Sequence, residues 1–194
     1  MRSKYNKILA SKSPRRAEIL NMIGIDFKVI PSNIKEDFNN DIMPQKIAEE
    51  LSLEKAKKIS TEYPADIIIG ADTLVVSNGQ IFGKPKNKVE SRLMLKALSD
   101  SSHKVITGIT LINENIGAIK TFNDTTEVFV SKISNSDVDY YIENFNTFDK
   151  SGGYGIQEWF SVWIKKINGC YYNVMGLPVS KFYKHLLEFE KLMN

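Results

Sequence analysis

Residues 67–76 read Ile67-Ile68-Ile69-Gly70-Ala71-Asp72-Thr73-Leu74-Val75-Val76. The apolar run from Ile67 to Ala71 reads as a strand buried on both faces, as in sheets covered by helices. It is expected to end at Asp72, with TLVV, an Asn78-Gly79 turn and QIF following as a hairpin. A buried carboxylate is costly unless it is paired, hydrogen-bonded or bound to a metal. Asp72 is therefore either a turn aspartate or a functional acid, and the β-forming residues on both sides favour the second.

Upstream, KILA at 7–10 is a short apolar run that gives way to Ser11-Lys12-Ser13-Pro14-Arg15-Arg16. Ser13 can cap a helix whose first position is Pro14. The spacing predicts a helix from Pro14 to about Gly24 that buries Ala17, Leu20 and Ile23, with Gly24 at its C′ position. A helix N-terminus with two arginines suits an anion, since unpaired N–H groups and the dipole favour negative charge there. An ordinary capped helix with solvated arginines is the alternative. Consecutive helix positions point about 100° apart, so only one of Arg15 and Arg16 is expected to face a ligand. A strand at Phe27–Pro31 and a second helix from Pro44 to about Thr61 follow, with Ile47, Ala48, Leu51 and Ile59 on one stripe. Lys55 projects into that stripe, so its ammonium either reaches the edge or meets an anion.

Downstream, Gly83-Lys84-Pro85 follows the hairpin, which either returns Lys84 towards Asp72 or leaves it a surface lysine. Asn87 and Glu90 form a capping box for a helix through Leu98, and two β runs span His103–Ile112 and Ala118–Ile133. Ser136 opens a helix to Phe145. DKSGGYGIQ at 149–157 is a glycine-bearing loop in which backbone can approach a ligand while Gln157 presents a donor and an acceptor. A hairpin is expected over 158–167 and 170–174 around Asn168-Gly169. Pro178 starts a last helix whose Val179, Phe182, Leu186 and Phe189 repeat at helical spacing.

The chain has 194 residues, 42% of them hydrophobic and 25% charged, with a net charge of +3. That composition fits a folded domain and carries no strong nucleic-acid footprint. One cysteine, Cys170, excludes an internal disulfide, and His103 and His185 lie far from it, so no zinc pattern exists. Both histidines read as structural and Cys170 as a hairpin-edge residue. No signal peptide, anchor, repeat or linker is legible, which leads us to expect a single domain over 1–194 in the cytoplasm. The βα units mixed with meanders imply an α/β or mixed α+β fold on a long, twisted, mixed sheet.

Taken together, these segments carry a resemblance. LASKSPRR at 9–16, Glu36, LSLEKA at 51–56, GADTLVV at 70–76, GKP at 83–85, HKVITG at 103–108, DKSGGYGIQ at 149–157 and YYNVMGLP at 171–178 occur in order along nearly the whole chain. The sequence resembles the Maf family of nucleoside triphosphate pyrophosphatases. The resemblance implies an inosine-triphosphatase-like fold, an elongated sheet with helices around it and a cleft between two lobes. It implies cleavage of a triphosphate to monophosphate and pyrophosphate with a divalent cation, Mg²⁺ or Mn²⁺, and a homodimer. The loop around Gln157 is similar to that of the branch specific for dTTP and UTP, with modified pyrimidine nucleotides as further candidates. By position Asp72 corresponds to the proton acceptor, and Arg15, Thr73 and Gln157 to specificity residues. Ser11, Arg16, Lys55, Lys84 and Lys150 complete the implied substrate-binding set, and Glu36 and Asp72 the implied metal ligands. Glu158 stands where the family usually has a glycine, and Ser151 and Gly153 where it has alanines. The rivals are a family member that prefers 7-methyl-GTP or purines, and a weakly catalytic nucleotide- or nucleic-acid-binding regulator of septum formation.

Overall fold

The run at residues 67–76 is a strand that does not stop at its carboxylate. In the computed structural model, which describes residues 5–35 and 42–193, strand β3 runs from Ile67 to Ser77 straight through Asp72. The expected strand end is thus corrected, and the reason is that a partner offsets the cost of burying Asp72 within the strand. Among the described residues the other strands are β1 (Lys7–Leu9), β2 (Lys28–Val29), β4 (Gln80–Phe82), β5 (Ser102–Asn113), β6 (Ala118–Val130) and β7 (Ile164–Asn168). The helices are α1 (Pro14–Met22), α2 (Pro44–Ser60), α3 (Lys88–Leu98), α4 (Asn135–Asn144), α5 (Tyr171–Met175) and α6 (Val179–Leu192). The strand order is β2-β1-β3-β5-β6-β7, with β4 paired to β3. Strand β1 is parallel to β2 and β3, while β3–β4 and β6–β7 are antiparallel, so the sheet is mixed as expected.

The chain groups into two compact units, Met1–Asp72 with Thr107–Asp124 and Gly176–Asn194, and Thr73–Ile106 with Thr125–Met175. In the first, Ile8, Ala10, Ala56, Ile59, Ile68 and Ile112 form a buried core. Helix α2 lies almost on the sheet backbone. A Cβ at Gly70 would meet the Ser52 carbonyl at 2.1 Å, and one at Gly108 would meet the Ala48 carbonyl at 2.1 Å. Only residues without a side chain permit that approach. Helix α1 buries Leu20 as expected, with Arg16 and Ile19 in place of the expected Ala17 and Ile23. Its end follows the expected pattern. Gly24 sits at φ 70°, with its N–H donating to Asn21 O (3.0 Å) and that of Ile25 to Leu20 O (3.0 Å), the paired bonds of a Schellman motif. Ser13 makes no side-chain cap; its own N–H donates to Ser11 Oγ at 3.2 Å. The strand expected at Phe27–Pro31 shrinks to two exposed residues.

In the second unit, Val76↔Ile81 and Ser77↔Gln80 set the register of the Asn78-Gly79 hairpin. Asn87 Oδ1 accepts from Glu90 N–H (2.9 Å) as expected of the cap, while the Glu90 carboxylate turns to Lys86 N–H (2.7 Å). Helix α4 begins before Ser136, since Ser134 Oγ caps it by accepting from Asp137 N–H (3.1 Å). The hairpin expected over 158–174 does not form. Residues 159–163 make a 3₁₀ turn, β7 pairs with β6, and 171–175 are helical. Thr126 Oγ1 takes both the N–H (3.0 Å) and the carbonyl (3.1 Å) of Cys170, turning the chain off the strand, and Asn173 Nδ2 then donates to Val105 O at 3.0 Å. Cys170 is accordingly a turn residue before α5 rather than a hairpin edge.

Candidate functional site

Parallel pairing of β1 and β3, with Leu9 opposite Ile69, brings the carboxyl end of β1 level with the residues just before Asp72. Ligands of open α/β sheets bind outside such strand ends. From there Ser11 leads into α1. Arg16 is buried, and its Nε donates to Gly176 O (2.9 Å) while Nη1 donates to Ser11 Oγ (2.8 Å). Its guanidinium is therefore committed to holding the start of α1 against the segment before α6. Arg15 is half-buried.

Gly70 and Asp72 are two residues apart on β3 and so share a face. Gly70 touches α2 at Ser52 and Ala56, which puts Asp72 under the same helix. There the Lys55 ammonium donates directly to Asp72 Oδ1. Both side chains are nearly closed off, at 9% and 7% exposure. Lys55 thus meets an anion and does not snorkel. A pair at this depth is stabilising only with good geometry and further hydrogen bonds.

The second unit contributes a separate group. Thr73 is half-buried, and its carbonyl accepts from Ser151 Oγ at 2.7 Å. The Gly152 N–H donates to Gly83 O at 3.0 Å, which ties the glycine loop to the segment carrying the exposed Lys84. Gln157 is exposed at the far end of that loop. Lys150 is buried, its ammonium turned to Asn146 O, Asp149 (2.8 Å) and Glu158 (2.9 Å). Glu36 lies outside the described residues. Two residues absent from the sequence-derived set enter here, Tyr141 and Glu158, whose phenol and carboxylate meet at 2.8 Å. Tyr141 sits at helical spacing among core residues, which hides its polar end; only the unusual Glu158 gave any signal.

His103 is buried at 2% exposure, with Nε2 2.6 Å from the Tyr154 hydroxyl. Burial pulls its pKa down to about 4, so it is neutral near pH 7 and structural, as expected. His185 pairs with Glu188 at 3.1 Å on the surface of α6.

Fold and site define a mixed α/β protein with a buried lysine–aspartate pair on β3, just past the level at which its parallel neighbour β1 ends. The family model described as Maf-like protein matches residues 6–189, and the chain belongs to that family. A protein of Cytophaga hutchinsonii named dTTP/UTP pyrophosphatase is 44% identical over 188 residues, covering 96% of this chain and 84% of that one. Proteins of the same name from Syntrophus aciditrophicus (42% over 185 residues, 95% and 90% covered) and Alkaliphilus metalliredigens (46% over 175 residues, 90% and 91% covered) are similarly close.

Proposed function

We propose that this chain hydrolyses nucleoside triphosphates, dTTP and UTP foremost, to the monophosphate and pyrophosphate. The observation that carries the reading is the Lys55–Asp72 contact, a buried ammonium and carboxylate held on β3 three residues past the end of its parallel neighbour β1. The names of the relatives, at 42–46% identity over most of the chain, support the substrate.

Cleavage between the α and β phosphates needs a water aimed at the α phosphorus, charge neutralisation, and a stabilised leaving pyrophosphate. In our reading Asp72 orients that water and takes its proton, and Lys55 fixes the direction of the carboxylate from above. Arg15 and Lys84 grip phosphate oxygens, Ser11 and Arg16 shape the start of α1, and Thr73 and Gln157 select the base. Lys150 supports the loop that presents Gln157.

Among the described residues no group of three His, Cys, Asp or Glu side chains is arranged to cage a metal. The hard oxygen donor of Asp72 nonetheless suits Mg²⁺ or Mn²⁺, because Mg²⁺ is usually held by one or two carboxylates together with the substrate's own phosphates. Asp72, with Glu36 as the second carboxylate, would hold such an ion, which when bound supplies charge neutralisation on the phosphates. Among the described residues no helix is long and apolar enough to cross a membrane. We place the protein in the cytoplasm, with its nucleotide pool, as a homodimer.

The test is pyrophosphate release from UTP, dTTP, CTP, ATP, GTP and 7-methyl-GTP, with Mg²⁺, Mn²⁺ or EDTA. The reading expects UTP and dTTP to lead and EDTA to abolish turnover. A purine or 7-methyl-GTP optimum would overturn the substrate, and absence of pyrophosphate with every triphosphate would overturn the activity.

A further inference from the structure

Gln157 is exposed, yet the residues on either side of it are not loose: Ile156 is buried and Glu158 keeps only a quarter of its side chain in solvent. The Glu158 carboxylate turns inward and divides its two oxygens. Oε1 meets the Lys150 ammonium at 2.9 Å, and Oε2 accepts from the Tyr141 hydroxyl at 2.8 Å. That hydroxyl in turn accepts from the Gly155 N–H at 3.2 Å. One carboxylate therefore holds both ends of the segment from Lys150 to Gly155, one directly and one through a phenol.

The anchor itself is rigid. Tyr141 is fully buried, stacked on Phe145 at 5.0 Å and edge-on to Trp163 at 6.5 Å. Burial, opposed by the Gly155 amide and reinforced by the charge of Glu158, holds the phenol far above its ordinary pKa, so it remains a donor across the working pH range. Gly155 is seated so tightly that a Cβ there would lie 2.9 Å from Glu158 Cδ and 3.0 Å from Lys150 Cε. The backbone of Glu158 is fixed too, its N–H donating to Gly155 O (3.2 Å) and its carbonyl accepting from Ser161 N–H (2.9 Å). Gln157 thus hangs between two pinned residues.

We infer that Glu158 is a positioning residue that, through Tyr141 and Lys150, sets the glycine loop and hence the aim of Gln157 at the base. The inference rests on the proposed role of Gln157 in reading a pyrimidine, and it assigns to Glu158 selection and affinity rather than the chemistry at Asp72. A site built from aimed hydrogen bonds discriminates only while its aim holds, since a misdirected amide leaves polar groups unmatched.

The experiment compares wild type with Glu158→Ala, Glu158→Gln and Tyr141→Phe. It measures kcat and KM for UTP and GTP, and hydrogen exchange of the amides across 150–157 in the full chain without nucleotide. Glu158→Ala should raise the KM for UTP by about tenfold, the scale of a lost charge-assisted hydrogen bond, with a smaller fall in kcat and a reduced preference for UTP over GTP. Its loop amides, Gly155 above all, should exchange at least about tenfold faster. Glu158→Gln keeps an acceptor for Tyr141 but loses the charge facing Lys150, and should fall between the two. Tyr141→Phe, which removes one hydroxyl and keeps the aromatic packing, should move exchange and KM in the same direction, and it decides the question if Glu158→Ala does not fold. Unchanged exchange in folded variants overturns the inference, as does faster exchange with an unchanged KM and preference. A wild type that hydrolyses no triphosphate refutes the proposed function instead, and exchange then judges the hold of Glu158 on the loop by itself.

Discussion

Gly70→Ala introduces a methyl carbon 2.1 Å from the Ser52 carbonyl and 2.9 Å from Ala56 Cβ. The first neighbour is backbone, which cannot rotate away, so α2 has to lift from β3 by about 1 Å to restore ordinary contact. A gap of that size forfeits roughly a quarter to a half of each dispersion contact beneath the helix, and α2 buries Ile47, Leu51, Ala56 and Ile59 there. Overpacking costs ~1–3 kcal/mol, and a backbone clash belongs at the upper end. We expect about 3 kcal/mol, or a Tm lower by about 6–12 °C for a chain of this size. Lys55 rides on the same helix, so its hold on Asp72 moves too, and a displacement near 1 Å can cost about a hundredfold in rate. Gly83→Ala is the control, since a Cβ there meets nothing within 4 Å; it should stay within about 0.5 kcal/mol of wild type. Urea unfolding followed by circular dichroism, with pyrophosphate release on the same samples, reads both effects. If Gly70→Ala proves as stable and as active as Gly83→Ala, close approach of α2 does not set the Lys55–Asp72 geometry.

Asp72→Asn keeps the shape of the side chain and removes the base, so nucleotide should still bind while turnover falls by about 10²- to 10⁴-fold; calorimetric UTP binding and pyrophosphate release separate the two. Arg16→Ala deprives Gly176 O and Ser11 Oγ of a buried charged donor and should cost about 2 kcal/mol of stability. Arg15→Ala should instead raise the KM for UTP about tenfold at nearly wild-type Tm, and the reverse pattern would exchange their roles. His103 takes a proton below pH 6.5 when unfolded but only below about 4 when folded. Stability should therefore fall as pH drops from 6.5 to 4, by up to about 3 kcal/mol. Urea midpoints at pH 7.5 and 4.5 should show a weaker pH dependence in His103→Gln, and equal dependence would remove His103 as its source.

The local signals that survive in the structure are those satisfied within a few residues. Pro14 and Gly24 bracket α1, the 47–48–51–59 stripe writes α2, Asn78-Gly79 makes the hairpin, and the Asn87 side chain caps α3. Periodicity also exposed Lys55 as a charge on an apolar face, and the continuous apolar run exposed Asp72. What periodicity cannot say is that these two meet, because their contact depends on α2 lying against Gly70 across a sequence separation of 17. The same dependence explains why β3 continues through Asp72: the cost of a buried carboxylate is offset by an ammonium from another element. Arg15 and Arg16 are chemically alike and adjacent, and only the carbonyl of Gly176, 160 residues away, decides which is taken inward. Residues 158–174 alternate like a hairpin, yet Thr126 claims both backbone groups of Cys170 from 44 residues away and turns the segment into α5. Local pattern sets most of the elements and which side chains are anomalous; long-range packing decides what each anomalous side chain touches, and after Cys170 even which element forms, because those choices rest on groups no nearby residue supplies.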